Sequence, residues 1–210
     1  MALSPSELNK LLKVCKKLPD GPDYREDNYM RNLMLTALDF QLDAQKVVMP
    51  AIGHFEDKCG FQRTKKLKDL FAKYANTPGG NSKLAVDMWG FNLWTRAQFL
   101  RVIIERLESA GVRGQSSLKR WLETADFETD VKGRFKSTHH SIGYTLYEWL
   151  RLRCGFDTIK PDLHILAFIQ EAVGRRVAPT EAVHALMEIC SSSGRKAYRL
   201  DSAIWHHQHD

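Results

Sequence analysis

Apolar residues recur at α-helical spacing along most of this 210-residue chain, and no segment shows several period-two runs bounded by turn signals. Ser4 is a candidate N-cap, with Pro5 at the first helical position and Glu7 placed to complete a capping box. A strong amphipathic helix is predicted over residues 95–111 and is closed by a glycine. The pattern therefore predicts an all-α fold of about nine to eleven helices.

Other breaks in the helical pattern separate further segments. Residues 28–49 predict one long helix that ends at Pro50, and residues 76–82 (NTPGGNS) predict a loop. Residues 142–153 and 163–173 predict two helices joined by a short connector.

Composition limits the class of protein and its partners. Hydrophobic residues make up 43% of the chain and charged residues 27%, values typical of a globular protein. No apolar run approaches the roughly 20 residues that cross a bilayer, and the N-terminus lacks a signal-peptide pattern. We expect an intracellular protein without membrane contact, in the cytoplasm or nucleoid, or in the nucleus of a eukaryote. The net charge of +6 is compatible with a polyanionic partner.

The metal-ligating residue types do not form a motif. The four cysteines are far apart, which excludes a CxxC-type zinc site and argues against a compact iron–sulfur motif. Three histidines cluster near the C-terminus with only one carboxylate nearby, so we expect no metal there: His206, His207, His209 and Asp210.

The stretch KGRFKSTHHSIGYT leads into the first helix of the pair with a basic turn that ends at Gly143. A basic turn before a glycine-opened helix N-terminus suits a phosphate contact. Asp162 follows Pro161 and precedes an apolar helix, where a plain N-cap is the simplest interpretation.

This order of basic turn, Ile-Gly helix, connector and Pro-Asp-x-His resembles the helix-hairpin-helix DNA glycosylase superfamily, and within it the endonuclease III-like branch. LTALDFQLDAQ looks like the early helix that ends near a DNA-wedge glutamine, which maps to Gln41. MWGFNLWTRAQFLRVIIERL and the C-terminal helices are similar to further segments of that family. The resemblance implies two helical lobes with a DNA groove between them. Residues 26–155 would form the barrel lobe with the hairpin, and residues 1–25 plus 156–210 the second lobe.

The chain also departs from the family pattern. Ser141 replaces the first hairpin glycine and His140 the preceding proline, which would weaken phosphate docking or binding of the usual monovalent cation. The Schiff-base lysine is absent, because Thr145 or Tyr144 stands at its position, and no four-cysteine cluster follows the last helix. The resemblance therefore implies a monofunctional, monomeric enzyme without an iron–sulfur cluster.

The implied activity is hydrolysis of the N-glycosidic bond of a damaged, modified or mismatched base that is flipped out of duplex DNA in base excision repair. Asp162 would stabilise the oxocarbenium-like transition state. The expected DNA contacts are Gln41, Lys136, His139, His140, Ser141, Gly143 and Thr145. The candidates for a base pocket are Trp89, Phe91, Trp94 and Tyr144.

Two other interpretations stay open at this point. The altered HHSIG turn also fits a non-catalytic DNA-binding protein that keeps the hairpin scaffold. A helical protein–protein adaptor with accidental motif matches is the third interpretation.

Overall fold

The computed structural model describes residues 2–61 and 64–208, and every regular element within these ranges is helical, as the sequence predicts. The α-helices are α1 (Pro5–Cys15), α2 (Tyr29–Leu38), α3 (Met49–Cys59), α4 (Thr64–Lys73), α5 (Pro78–Trp89), α6 (Trp94–Ser109), α7 (Gln115–Thr124), α8 (Tyr144–Arg153), α9 (Leu163–Val173), α10 (Pro179–Ser193) and α11 (Ala197–His207). Two short π-helical segments cover Ala44–Val48 and Phe127–Val131. In the described part of the chain, no helix is both long and apolar enough for a membrane span.

The chain divides into two compact units. Unit 1 comprises Met1–Arg25 and Tyr144–Asp210, and unit 2 comprises Glu26–Gly143. This division falls before α8, whereas the family resemblance implies a boundary after residue 155. Helix α8 belongs to unit 1 because its side chains bind the connector between α8 and α9.

Unit 1 is built around α1, α9, α10 and α11. Their apolar faces meet in one core cluster, which includes Leu11, Ile169, Leu186, Leu200 and Ile204. Each of these five side chains is completely buried. Burying one such side chain stabilises the fold by about 1.5–3 kcal/mol, so this core holds the N-terminal helix against the C-terminal ones.

Unit 2 centres on α2, α3, α5 and α6, which pack on one another. Leu33, Phe55, Trp89 and Phe99 are completely buried in this unit. The Trp89 indole N–H, which needs a partner when buried, lies 3.3 Å from Met34 Sδ.

The capping box predicted at the start of α1 is confirmed. Ser4 Oγ accepts a hydrogen bond from the Glu7 backbone N–H, and Glu7 Oε2 accepts one from the Ser4 backbone N–H at 2.7 Å. Both bonds satisfy N–H groups that have no partner within the helix.

The prediction of one helix over residues 28–49 is wrong. Helix α2 ends at Leu38, and Gln41 adopts a left-handed φ of 57° that no α-helix continues through. Asp43 Oδ1 then accepts hydrogen bonds from two backbone N–H groups and opens the π-helical segment. Pro50 lies in the first turn of α3, where its missing N–H costs nothing, so it begins a helix there and does not end one.

The prediction of a loop over residues 76–82 is also wrong, because α5 begins at Pro78. Thr77 Oγ1 caps the helix by accepting a hydrogen bond from the Gly80 N–H at 3.1 Å. A β-carbon at Gly80 would overlap the backbone carbonyl of Ala75, whereas one at Gly79 would meet nothing within 4 Å. The two adjacent glycines therefore have different roles, and only Gly80 is required by packing.

We predict that Gly80→Ala lowers the free energy of unfolding by about 2 kcal/mol or more, because backbone cannot yield as a flexible side chain does. Gly79→Ala is the matched control in the same helical turn. It should be neutral or stabilise by about 0.4–1 kcal/mol, since alanine loses less entropy on folding. Urea denaturation of the two variants measures the difference, and equal effects would contradict the packing role of Gly80.

Candidate functional site

Asp162 caps the N-terminus of α9, as the sequence predicts. Its Oδ1 atom accepts hydrogen bonds from the backbone N–H groups of His164 at 3.0 Å and Ile165 at 3.1 Å. The Asp162 side chain is 18% exposed, so solvent still reaches it. The carboxylate is therefore fixed in orientation at a helix N-terminus, where the helix dipole favours negative charge, and it stays accessible.

Lys160 joins this carboxylate to an aromatic ring. Its Nζ atom lies 3.1 Å from Asp162 Oδ2 and 4.4 Å from the centroid of the Trp149 ring. The Arg153 guanidinium carbon lies 5.0 Å from the same centroid, and the Tyr24 ring packs edge-on at 5.7 Å. Two cations thus contact the half-buried Trp149 ring beside the capping carboxylate.

A second carboxyl group, that of Asp201 on α11, lies beneath the connector. Its Oδ1 atom accepts a hydrogen bond from the Lys160 backbone N–H at 2.6 Å. Burial raises the pKa of Asp201 to about 7; the hydrogen bond from Lys160 opposes this shift, and the charge of Asp162 adds to it. Asp201 therefore holds the connector from within the core, and Asp162 presents its carboxylate outward.

Helix α8 fixes the same connector through two further hydrogen bonds. Thr145 Oγ1 donates a hydrogen bond to the Pro161 carbonyl at 3.0 Å, and Thr158 Oγ1 donates one to the buried Glu148 at 2.6 Å. The Thr145 hydroxyl, expected to contact DNA, is thus engaged within unit 1. Tyr144 is half-buried, and burial raises the pKa of its phenol to about 12.

In unit 2, a buried arginine anchors the loop that carries Gln41. Arg96 Nη2 donates a hydrogen bond to the Phe40 carbonyl at 2.8 Å, and the guanidinium carbon lies 3.6 Å from the centroid of the Phe40 ring. Burial lowers the pKa of Arg96 to about 10. Gln41 follows directly, is exposed and keeps its left-handed backbone, which costs on the order of 1 kcal/mol. The anchor holds this strained residue in place at the surface.

His140 packs against the same anchor. Its ring meets Phe40 edge-on at 5.4 Å, and its Nε2 atom lies 2.9 Å from Thr95 Oγ1. Burial, with the charges of Arg96 and His139, lowers the pKa of His140 to about 4. The His140 ring is therefore neutral at physiological pH.

The residues around the HHSIG turn form a short antiparallel bridge between Lys136 and Ser141. The His140 carbonyl accepts hydrogen bonds from the Ser137 N–H and hydroxyl. These hydrogen bonds close the turn locally. Lys136 and Ser141 are exposed.

Two further candidates beside this turn are accessible. The His139 ring is exposed and packs edge-on against Trp94, with 4.9 Å between the ring centroids. Gly143 is also exposed, and a β-carbon there would meet nothing within 4 Å, which leaves room for a ligand to approach the backbone.

The other proposed base-pocket residues differ in exposure. Trp89 is completely buried in the core of unit 2, so a flipped base cannot reach it, and its assignment to a base pocket is wrong. Phe91 is half-buried just after α5.

The terminal histidines and the cysteines give no metal centre in the described residues, where no group of three or more potential ligands occurs. His206 Nε2 instead lies 3.3 Å from the Tyr24 hydroxyl, and His207 packs edge-on against Phe168. His209 and Asp210 lie outside the described residues.

Sequence reasoning misses three residues of the Asp162 site. The helical pattern assigns Trp149 to the apolar face of its helix and gives no sign that its ring lies beside Asp162. Lys160 stands two residues before Asp162, and a lysine at that spacing from a capping carboxylate is a visible signal. Asp201 gives no signal, because its contact with the connector joins positions 41 residues apart.

Comparison with known proteins places the chain in a family without assigning a function. Residues 91–209 match the family model described as Domain of unknown function (DUF8548). Since the match covers more than half of the chain, the protein belongs to this family. The matched range contains both Asp162 and the HHSIG turn. No curated protein and no solved structure matches the chain.

We predict that His140 makes stability depend on pH. Because its folded pKa of about 4 lies below the ordinary value of 6.5, its stabilising contribution is complete above about pH 6.5 and is lost as the pH falls toward 4. His140→Gln should reduce the loss of unfolding free energy between pH 7 and pH 5 by on the order of 1 kcal/mol, allowing for solvent screening. Urea denaturation at each pH provides the measurement. The control is His184→Gln, on the exposed surface of α10, which should leave the pH dependence as in the parent protein. If the unfolding free energy changes with pH by the same amount in all three proteins, His140 is not the source of the pH dependence.

Proposed function

We propose that this protein is a monofunctional DNA N-glycosylase that hydrolyses the bond between a flipped base and its deoxyribose. The observation that supports this most directly is the Asp162 carboxylate, which two backbone N–H groups orient and which solvent still reaches. A carboxylate with this combination of rigidity and access can stabilise positive charge that develops on a sugar.

The proposed chemistry follows from that charge. Breaking an N-glycosidic bond leaves an oxocarbenium-like sugar, and Asp162 would lie near C1′ and orient the attacking water. Trp149 offers an aromatic face next to this carboxylate, beside the half-buried Tyr24 ring. Both rings would contact the extruded nucleotide, in addition to the predicted Tyr144.

The proposed contacts with double-stranded DNA come from unit 2. Gln41 is the proposed wedge, since it is exposed and directly follows Phe40, whose carbonyl oxygen Arg96 binds. Lys136, His139 and the open backbone at Gly143 are the proposed phosphate contacts. Because these contacts include few charges, we expect a moderate salt dependence of binding, of about one counterion per lysine or arginine involved.

The alternative is a non-catalytic DNA-binding protein, and one observation favours it. The Lys160 ammonium lies 3.1 Å from Asp162 Oδ2, the oxygen that the backbone does not bind and that an attacking water would need. If this ion pair persists on DNA, the carboxylate cannot act on the sugar. Base release distinguishes the two functions, since only the glycosylase produces it.

We predict that Asp162→Asn lowers the rate of base release by at least about a hundredfold while DNA binding is retained. Asparagine caps helices about as well as aspartate, so the substitution removes the charge and keeps the fold. The assay incubates the protein with duplexes that carry uracil, alkylated, oxidised or mismatched bases and measures alkali-labile sites.

Asp157→Asn is the matched control for this experiment. Asp157 accepts hydrogen bonds from the N–H groups of Ala197 and Tyr198 at the start of α11, and its partner Lys196 lies at 3.8 Å. It is thus a second capping carboxylate of unit 1 with a lysine partner. Full base release by Asp162→Asn, or an equal loss in both variants, would overturn the catalytic role.

We further predict that sodium borohydride traps no covalent adduct between the protein and DNA that contains an abasic site. Thr145 offers no amine, and the nearby Lys160 Nζ is engaged by Asp162 Oδ2 at 3.1 Å. Denaturing gel electrophoresis of the borohydride reaction tests this, with Lys160→Gln as the comparison. A shifted band that Lys160→Gln abolishes would overturn the monofunctional assignment.

A further inference from the structure

A cleft on unit 2 shares no residue with the proposed glycosylase site. It is formed by the end of α6, by α7 and by the turn after the second π-helical segment, and its volume is about 470 Å³. Small-molecule sites typically measure about 300–1,000 Å³, so the cleft can hold one nucleotide-sized ligand. Its lining residues are Arg106, Ser109, Ala110, Trp121, Asp130, Gly133, Arg134 and Phe135.

Two arginines give this cleft its charge. Arg106 and Arg134 both line it and are exposed, and neither guanidinium has a hydrogen-bond or ion-pair partner among residues 2–61 and 64–208. The neighbouring Lys132, by contrast, is paired with Glu128 at 2.6 Å. Unpaired guanidinium groups in a shared cleft suit bidentate recognition of a phosphate.

The remaining charge in the cleft does not cancel this preference. Asp130 is the one acidic residue among its lining residues, and its Oδ2 atom already accepts a hydrogen bond from the Asp126 N–H at 2.9 Å. The two guanidinium groups therefore leave a net positive lining.

An aromatic wall completes the site. The Trp121 and Phe135 rings contact each other with 5.7 Å between their centroids, which fixes the half-buried indole in position. A flat, held ring beside phosphate-binding arginines is the combination that stacks a nucleobase while its phosphate is bound.

We propose that this cleft binds one nucleotide unit, with Arg106 and Arg134 on the phosphate and Trp121 against the base. The ligand is either a free mononucleotide or a nucleotide of a single strand, since both present the same chemistry. The proposal does not require glycosylase activity, because binding alone is measured.

The test titrates the 210-residue chain with adenosine monophosphate and, separately, with a fluorescent single-stranded octanucleotide. Isothermal calorimetry measures the first and fluorescence anisotropy the second. The double variant Arg106→Gln/Arg134→Gln should weaken binding of the true ligand at least about tenfold. For the strand, it should also reduce the magnitude of the slope of log affinity against log salt by about 1.4, or about 0.7 per arginine. Binding of the mononucleotide identifies a small-molecule site, and binding of the strand alone identifies a nucleic-acid contact.

Arg120→Gln is the matched control, because Arg120 is an exposed arginine of α7 that does not line the cleft. It should bind as the parent protein does. The proposal is overturned if neither ligand binds, or if the double variant binds both as tightly as Arg120→Gln does. Base release by the double variant is measured in parallel. This measurement distinguishes a failure of the nucleotide-binding proposal from a failure of the proposed glycosylase activity.

Discussion

The hydrogen bonds from the first backbone N–H groups of α9 to Asp162 are the interaction on which the proposed site of unit 1 depends. They satisfy donors that the helix leaves without partners, and they also fix the carboxylate in one orientation. Lys160 and Asp201 hold the chain on the N-terminal side of this cap. One local folding requirement therefore creates the rigid, accessible negative charge that the proposed reaction needs.

Unit 2 holds its surface loop in a comparable way. A buried guanidinium is costly unless it is satisfied, and Arg96 is satisfied by the carbonyl oxygen of Phe40 and by the face of its ring. The same contacts hold the left-handed Gln41 at the surface and provide a wall for His140. The histidine thereby becomes part of the anchor, which explains why a residue in a basic turn is neutral.

The features that can be predicted from sequence alone are local ones. The capping box at Ser4 and the cap at Asp162 depend on residues within three positions, so their side-chain types suffice to predict them. The loop at Gln41 is held by Arg96, and the connector before Asp162 is held by Asp201. Each of these two partners is distant in sequence from the segment that it holds. The apolar periodicity of residues 28–49 does not show the break at Gln41, because a periodic pattern contains no information on tertiary contacts.

The most direct test of the central claim measures whether Asp162 recognises positive charge at the sugar. Two duplexes are compared, one with a cationic pyrrolidine in place of a deoxyribose and one with a neutral tetrahydrofuran. We predict that the protein binds the cationic analogue at least about tenfold more tightly, and that Asp162→Asn removes this preference without weakening binding to the neutral duplex. Equal affinity for the two duplexes, or a preference that survives Asp162→Asn, would contradict the proposed role of this carboxylate.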